Sequence, residues 1–351
     1  MRKYLNKSLL YQGDSKITLF LSIAYFAAFF FNKIIVDSFF DSNIRLYLYN
    51  LNYNYLYYEK FNAEAVQLMF TTLELFYLGV YLIICYSIIV GIHKRKKWSL
   101  LLSGPFSKLD IRKREFILII ISFLVFLVSF IIAVVQNIYL NYEIISYISG
   151  FEKVFLIDLI RIISVAAITI GGLTLLDSFF SNIYYVLGSL IFTFLYLIAI
   201  IGNLDSLIYG FATSTRVFRL ISDNIMFFLE GYYYQENYLG RIIAISAGLF
   251  IFGVILILIS KSLTKHMFVE NMNEGILLKF PKKAFNLMNI TFPGLVLAPF
   301  LSTLINEFYF SYRLNVQMLF IIKILIIVVV SFISCYLLKM WDNNKKDVYY
   351  K

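Results

Sequence analysis

Residues 93–115 read HKRKKWSLLLSGPFSKLDIRKRE: a basic cluster, a short apolar piece, a Gly-Pro break and a second basic cluster. Long apolar runs flank the stretch, at 68–92 and 116–138. Two membrane spans joined by a loop this basic fix that loop on the cytoplasmic side, because positive charge is retained there during insertion. Within the loop, Trp98, Leu100, Leu101 and Leu102 alternate poorly for a strand but suit a short amphipathic helix at the interface. Gly104-Pro105 must break that helix, since Pro105 has no N–H and disfavours α geometry at Gly104. Ser107 then reads as an N-cap with Asp110 in the capping-box position. Two readings follow for the loop, a charged anchor that sets topology and a docking element for a cytoplasmic partner.

Hydrophobic residues make up 61% of the 351-residue chain, charged residues 15%, and the mean hydropathy is +0.80. That balance places it among all-α polytopic membrane proteins. Apolar runs near 17–36, 68–92, 116–138, 154–176, 184–204, 241–260, 288–306 and 317–338 predict eight spans, so both termini lie on one side. The basic residues of 1–16, 94–114, 261–283 and the C-terminal tail outnumber those of the alternate segments about three to one, which makes the first set cytoplasmic. The net charge of +10 is thus topological, and nucleic acid is not an expected partner. The retained first span is preferred to a signal peptide, since its apolar run is long and lacks a small-residue cleavage site. Between spans five and six, 205–240 holds apolar pieces too short to cross, such as Ile225 to Leu229. These predict interfacial or re-entrant helices, which need protein packing at membrane depth.

Charges inside the spans are few. Glu74 lies near the outer end of the second span with no basic neighbour on its own helix, leaving Arg161, Lys323 or a watery cavity to meet it. Asp158 and Arg161, three apart in the fourth, share a helix face and are expected to pair near the outer interface. Lys323 is expected to snorkel outward. Gly171-Gly172 and Gly188 predict close helix packing, and Pro293 and Pro299 predict a kinked seventh span. Cys85 and Cys335 sit in apolar runs, and His93 and His266 adjoin lysines, so no disulfide or metal site is predicted. No phosphate-cradling loop, metalloprotease or serine-hydrolase motif occurs, and no catalytic residue is proposed. A polytopic chain without its own chemistry most simply moves something with energy supplied from elsewhere.

The order of features resembles the permease subunits of ABC type-2 exporters. In that family a cytoplasmic coupling helix between spans two and three carries an "L-P-[FIV]-S-[RK]-x-[ED]-I" core. Here Gly104-Pro105-Phe106-Ser107-Lys108-Leu109-Asp110-Ile111 matches it, with Gly104 in place of the leucine. Glu270 to Phe280 resembles the "E-x-A-G-x-x-L-x-F" linker that precedes two extra spans in some bacterial members. The resemblance implies a six-span core at 1–260 and an extension at 261–351. It implies that Trp98, Leu101, Gly104, Pro105, Phe106, Ser107, Lys108 and Asp110 couple to a separate ATPase, two copies per complex, which would hold the ATP and magnesium. It further implies a second permease chain, identical or paralogous, in a bacterial cell membrane. The size, the two extra spans and the aromatic outer segments are most similar to exporters of amphipathic peptides such as phenol-soluble modulins. Lipid, drug or antibiotic cargo is the alternative within the family. A secondary transporter and a non-transporting membrane scaffold are the alternatives outside it.

Overall fold

A computed structural model of the chain describes residues 15–52, 66–90, 98, 102, 106–145, 151–210, 228–229, 232–233, 236–265, 276–308 and 316–349. Eight helices among them are long and apolar enough to cross a membrane. They are α1 (Ser15–Asn52), α2 (Thr72–Val90), α3 (Lys108–Leu140), α4 (Phe151–Phe179), α5 (Ile183–Gly210), α6 (Glu236–Lys265), α7 (Lys279–Phe308) and α8 (Val316–Tyr349). The chain has the character of a multi-pass membrane protein. A single helical turn, Tyr142–Ile145, follows α3. The described residues also include a two-residue antiparallel pair, β1 (Val66–Gln67) with β2 (Tyr232–Tyr233), in the register Val66↔Tyr233 and Gln67↔Tyr232.

Several helices outrun the apolar runs that predicted them. Hydropathy ends where lipid ends, whereas the i→i−4 backbone bonds continue until something stops them. α1 continues to Asn52, through the first part of the Tyr-rich segment. α3 starts at Lys108, eight residues before the apolar run. Ser107 is its N-cap, and the capping box is complete: the Ser107 hydroxyl accepts from the Asp110 N–H, and the Asp110 carboxylate accepts from the Ser107 N–H. The Ser107 cap therefore opens the third span itself. In the other direction, the second span starts later than its apolar run. Leu68, Met69 and Phe70 are fully buried but not helical, and α2 begins only at Thr72.

The chain forms two compact units, Met1–Ile183 with Asp223–Asn273, and Tyr184–Ser222 with Glu274–Lys351. In the first, α4 and α6 pack along each other and cross at glycines. A methyl group on Gly171 would lie 2.5 Å from the Gly253 carbonyl oxygen, and one on Gly253 would lie 2.5 Å from the Ala167 carbonyl carbon. Gly172 and Gly188, flagged with Gly171 as packing positions, face open space instead. α1 and α3 are joined through buried amides. Asn32 donates to the Phe126 carbonyl (3.0 Å) and the Ser129 hydroxyl (2.6 Å), and Asn137 donates to Asp37 (2.7 Å). In an apolar medium such bonds have no competing water, and each holds two helices in register.

In the second unit, α7 passes without interruption through Pro293 and Pro299. Pro299 has no N–H, so it cannot serve the Leu295 carbonyl four residues earlier. Asn203 on α5 donates to that carbonyl at 2.7 Å. One turn further along the same face, Tyr196 and Thr291 share a 2.8 Å hydrogen bond, and Phe192 packs edge-on against Phe292. α7 meets α8 where a methyl group on Gly294 would lie 2.8 Å from the Ile327 carbonyl oxygen.

Candidate functional site: two buried ionic clusters on α4

Among the described residues of the first unit, most buried charges fall in two groups, one towards each end of α4. Asp158 and Asp177 are separated by 19 residues of one helix, about 29 Å at 1.5 Å per residue. That is close to the ~30 Å thickness of a hydrocarbon core. The two groups are thus spaced by about the thickness of one hydrocarbon core, and both lie inside the protein.

The group at the Asp177 end is centred on Arg112, on the second turn of α3. Arg112 is 6% exposed, Glu115 2% and Asp177 not at all. One nitrogen of the guanidinium donates to the Tyr86 hydroxyl (2.9 Å), the Glu115 carboxylate (3.3 Å) and the Asp177 carboxylate. The other donates to the Thr174 carbonyl, the Ser178 hydroxyl (3.3 Å) and the Ser260 hydroxyl (3.2 Å). Ser178 and Ser260 are themselves 2.8 Å apart. One side chain of α3 thus ties together α2, α4 and α6. It does so near the C-terminal ends of all three, where the helix dipoles favour a cation. A charge removed from water needs this density of partners, since an unpaired one costs several kcal/mol.

Trp98 extends this group into the basic loop. It is 1% exposed, and its ring N–H donates to the other oxygen of Glu115 at 3.0 Å. The buried path runs Trp98, Glu115, Arg112, Asp177. Of the other residues assigned to coupling, Phe106 is half-buried beside the cap, Ser107 is exposed, and Lys108 and Asp110 lie part-exposed on the first turn of α3. Leu101, Gly104 and Pro105 lie outside the described residues, as do His93, His266 and the Glu270 to Gly275 part of the linker motif.

At the Phe151 end, Asp158 and Arg161 pair at 2.9 Å and are both fully buried. The sequence predicted a pair that fixes its own helix; the pair in fact grips other segments. Asp158 accepts the Met69 N–H at 2.7 Å. Arg161 donates to the Phe70 carbonyl at 2.6 Å and to the Phe228 carbonyl, with its guanidinium 5.3 Å from the centre of the Phe228 ring. Glu74, expected to seek a distant cation, caps its own helix: its carboxylate accepts from the Thr71 N–H at 2.8 Å and from the Thr71 hydroxyl. A carboxylate in the first turn also suits the positive end of the α2 dipole.

Set against known proteins, the chain matches no family model, no curated protein and no solved structure. Its function is read from the residues alone. Among the described residues, no group of three or more His, Cys, Asp or Glu is placed to hold a metal ion. The charges of both clusters are paired within the protein, and their hydrogen bonds join separate segments of the first unit. Sequence reasoning missed the Arg112 group because Arg112 looks like one more basic residue of a cytoplasmic loop. The available signal was Asp177, an acid placed by hydropathy at a span end, at the same membrane level as the start of α3.

Proposed function

We propose that this chain is the membrane permease subunit of an ATP-driven exporter, with both termini and the 93–115 loop in the cytoplasm. A separate ATPase docks on the 98–115 element and supplies the energy. The observation that carries this reading is the buried path from Trp98 through Glu115 and Arg112 to Asp177. An anchor that only set topology would need its charges in water. Here the loop is wired by polar contacts into four helices at once. A displacement of the 98–115 element would be passed to α2, α4 and α6, since a packed interior transmits strain rather than absorbing it. Closure of the ATPase needs only to favour one of two arrangements of these helices to drive the cycle. Amphipathic or hydrophobic cargo, peptide foremost, fits the resemblance and the apolar, aromatic-rich composition; a second permease chain would complete the pathway.

The test is co-expression with the ABC-type ATPase encoded nearest to it, followed by purification and ATPase assay with an added amphipathic helical peptide. Phe106→Ala is expected to weaken co-purification, because it alters the outer part of the element. Glu115→Gln is expected to leave the complex intact while abolishing the response of turnover to peptide, because it cuts the path behind the docking surface. A failure of every ATPase to co-purify would end the exporter reading. A complex insensitive to peptide would keep the permease and remove the peptide cargo.

A further inference from the structure

Directly before α2 the chain runs through a backbone that is buried at 68–70 but neither helical nor, beyond the two residues of β1, paired as a strand. Leu68, Met69 and Phe70 are 4% exposed or less. A buried backbone outside a helix must find its hydrogen bonds elsewhere, and lipid offers none. Two of those bonds come from side chains of α4. Asp158 takes the Met69 N–H, and Arg161 gives to the Phe70 carbonyl. Arg161 also gives to the Phe228 carbonyl, in a segment far away in sequence. Four residues beyond Phe228, β2 pairs with β1, which lies directly before Leu68. Residues 66–71 are thus joined to β2 at one point, and share the same ion pair with Phe228 at another.

We propose that Asp158 and Arg161 form a latch, which holds residues 66–71, Phe228 and β2 together as one plug against α4 and releases them when the pair is broken. Phe70 secures the plug from the side, with its ring 5.2 Å from Phe130 and 6.5 Å from Phe126 on α3. Those contacts are apolar and non-directional and leave the register of the segments open. Among the described side chains, Asp158 and Arg161 are the ones that add to the β1–β2 pairing by bonding individual backbone groups of Met69, Phe70 and Phe228. The Nε of Arg161 is fully enclosed without an acceptor. The guanidinium is therefore held by the two carbonyls and the one carboxylate, and losing any of them strands a buried charge. The latch stands on geometry alone; a role in passing cargo at this end rests on the permease reading.

Cross-linking tests it in membranes, without purification. Gln67→Cys with Tyr232→Cys, in a Cys85→Ala, Cys335→Ala background, places thiols on residues that are register partners. Their Cα separation, about 4.5–5.5 Å in an antiparallel ladder, lies within the range a disulfide spans. Copper-phenanthroline oxidation is expected to close this bond rapidly in the parent. Adding Arg161→Lys or Asp158→Asn, both close in size to the native residue, is expected to slow closure at least about tenfold as the plug opens. Closure at the parental rate in both variants would overturn the latch, as would a parent that does not close. Hydrogen exchange provides a second test. The Met69 amide lies outside any helix and is held by Asp158, so slow exchange is expected there in the parent and faster exchange in Asp158→Asn. Exchange at the rate of a free peptide in the parent, or at one rate in both, would refute the proposal.

Discussion

Pro299 leaves the Leu295 carbonyl without its helical donor, and the Asn203 side chain fills the vacancy from another helix at 2.7 Å. This pairing makes a prediction that a simple packing role for Asn203 would not. Asn203→Ala strands the carbonyl and is expected to cost about 1–2 kcal/mol, the range for buried unsatisfied groups and interhelical bonds in membranes. Pro299→Ala restores an N–H to α7. In that background Asn203→Ala is expected to cost markedly less, with a coupling energy of about 1 kcal/mol between the two sites. Reversible unfolding in mixed micelles measures all four corners of the cycle, and additive losses would remove Asn203 from the proline's account. At this scale the sequence was legible where partners are close along the chain. Asp158 and Arg161 three apart, and Ser107 with Asp110, were both readable because helix geometry alone brings them together. Arg112 and Asp177 are 65 residues apart, and Asn203 and Leu295 are 92 apart. Their meeting depends on which helices are neighbours, and no local rule supplies that.

Between elements, the closest approach is that of α4 and α6. The atoms that would meet a methyl group on Gly253 are all backbone atoms, of Ala167 and Ile168, and backbone cannot rotate aside as a side chain can. Gly253→Ala is therefore expected to push the two helices apart and to cost about 1–3 kcal/mol, as overpacking does elsewhere. The nearby Arg112 group would feel the change, because Ser260 lies two turns along α6 from Gly253 and bonds directly to Thr174. Gly172→Ala is the matched control: nothing lies within 4 Å of its added methyl, so its cost is expected to stay within about 0.5 kcal/mol. Thermal unfolding of both variants checks the pair, and equal losses would show that glycine content rather than contact matters. The glycine doublet was visible in the sequence, but which member faces a neighbour was not. That follows from a 100° step per residue about a helix whose neighbours were unknown.

Across the whole molecule, eight apolar helices were legible in the sequence because lipid imposes one length and one composition on every span. The grouping of α5 with α7 and α8 in one unit and of α6 with α1–α4 in the other was not, because it interleaves segments distant in the chain. The orientation of the spans carries the functional reading and is open to direct measurement. α3 offers the simplest ruler. It runs from its cap at Ser107 to Leu140, 33 helical residues or about 50 Å, well beyond a ~30 Å hydrocarbon core. A helix of this length that crosses a bilayer reaches water at both ends. Ser107 is exposed at one end, and Tyr139 is 86% exposed at the other. The chain has only two cysteines, Cys85 and Cys335, so a background with both replaced by alanine leaves single introduced thiols as reporters. A membrane-impermeant maleimide applied to intact cells is expected to label Tyr139→Cys and to spare Ser107→Cys until the cells are permeabilised. In the proposed permease Ser107 belongs to the docking element, and an ATPase that consumes cytoplasmic ATP would reach it only from inside. Labelling in the opposite order would place 98–115 outside the cell. The Trp98–Glu115–Arg112 path would then still join the helices, but no cytoplasmic motor could pull on it.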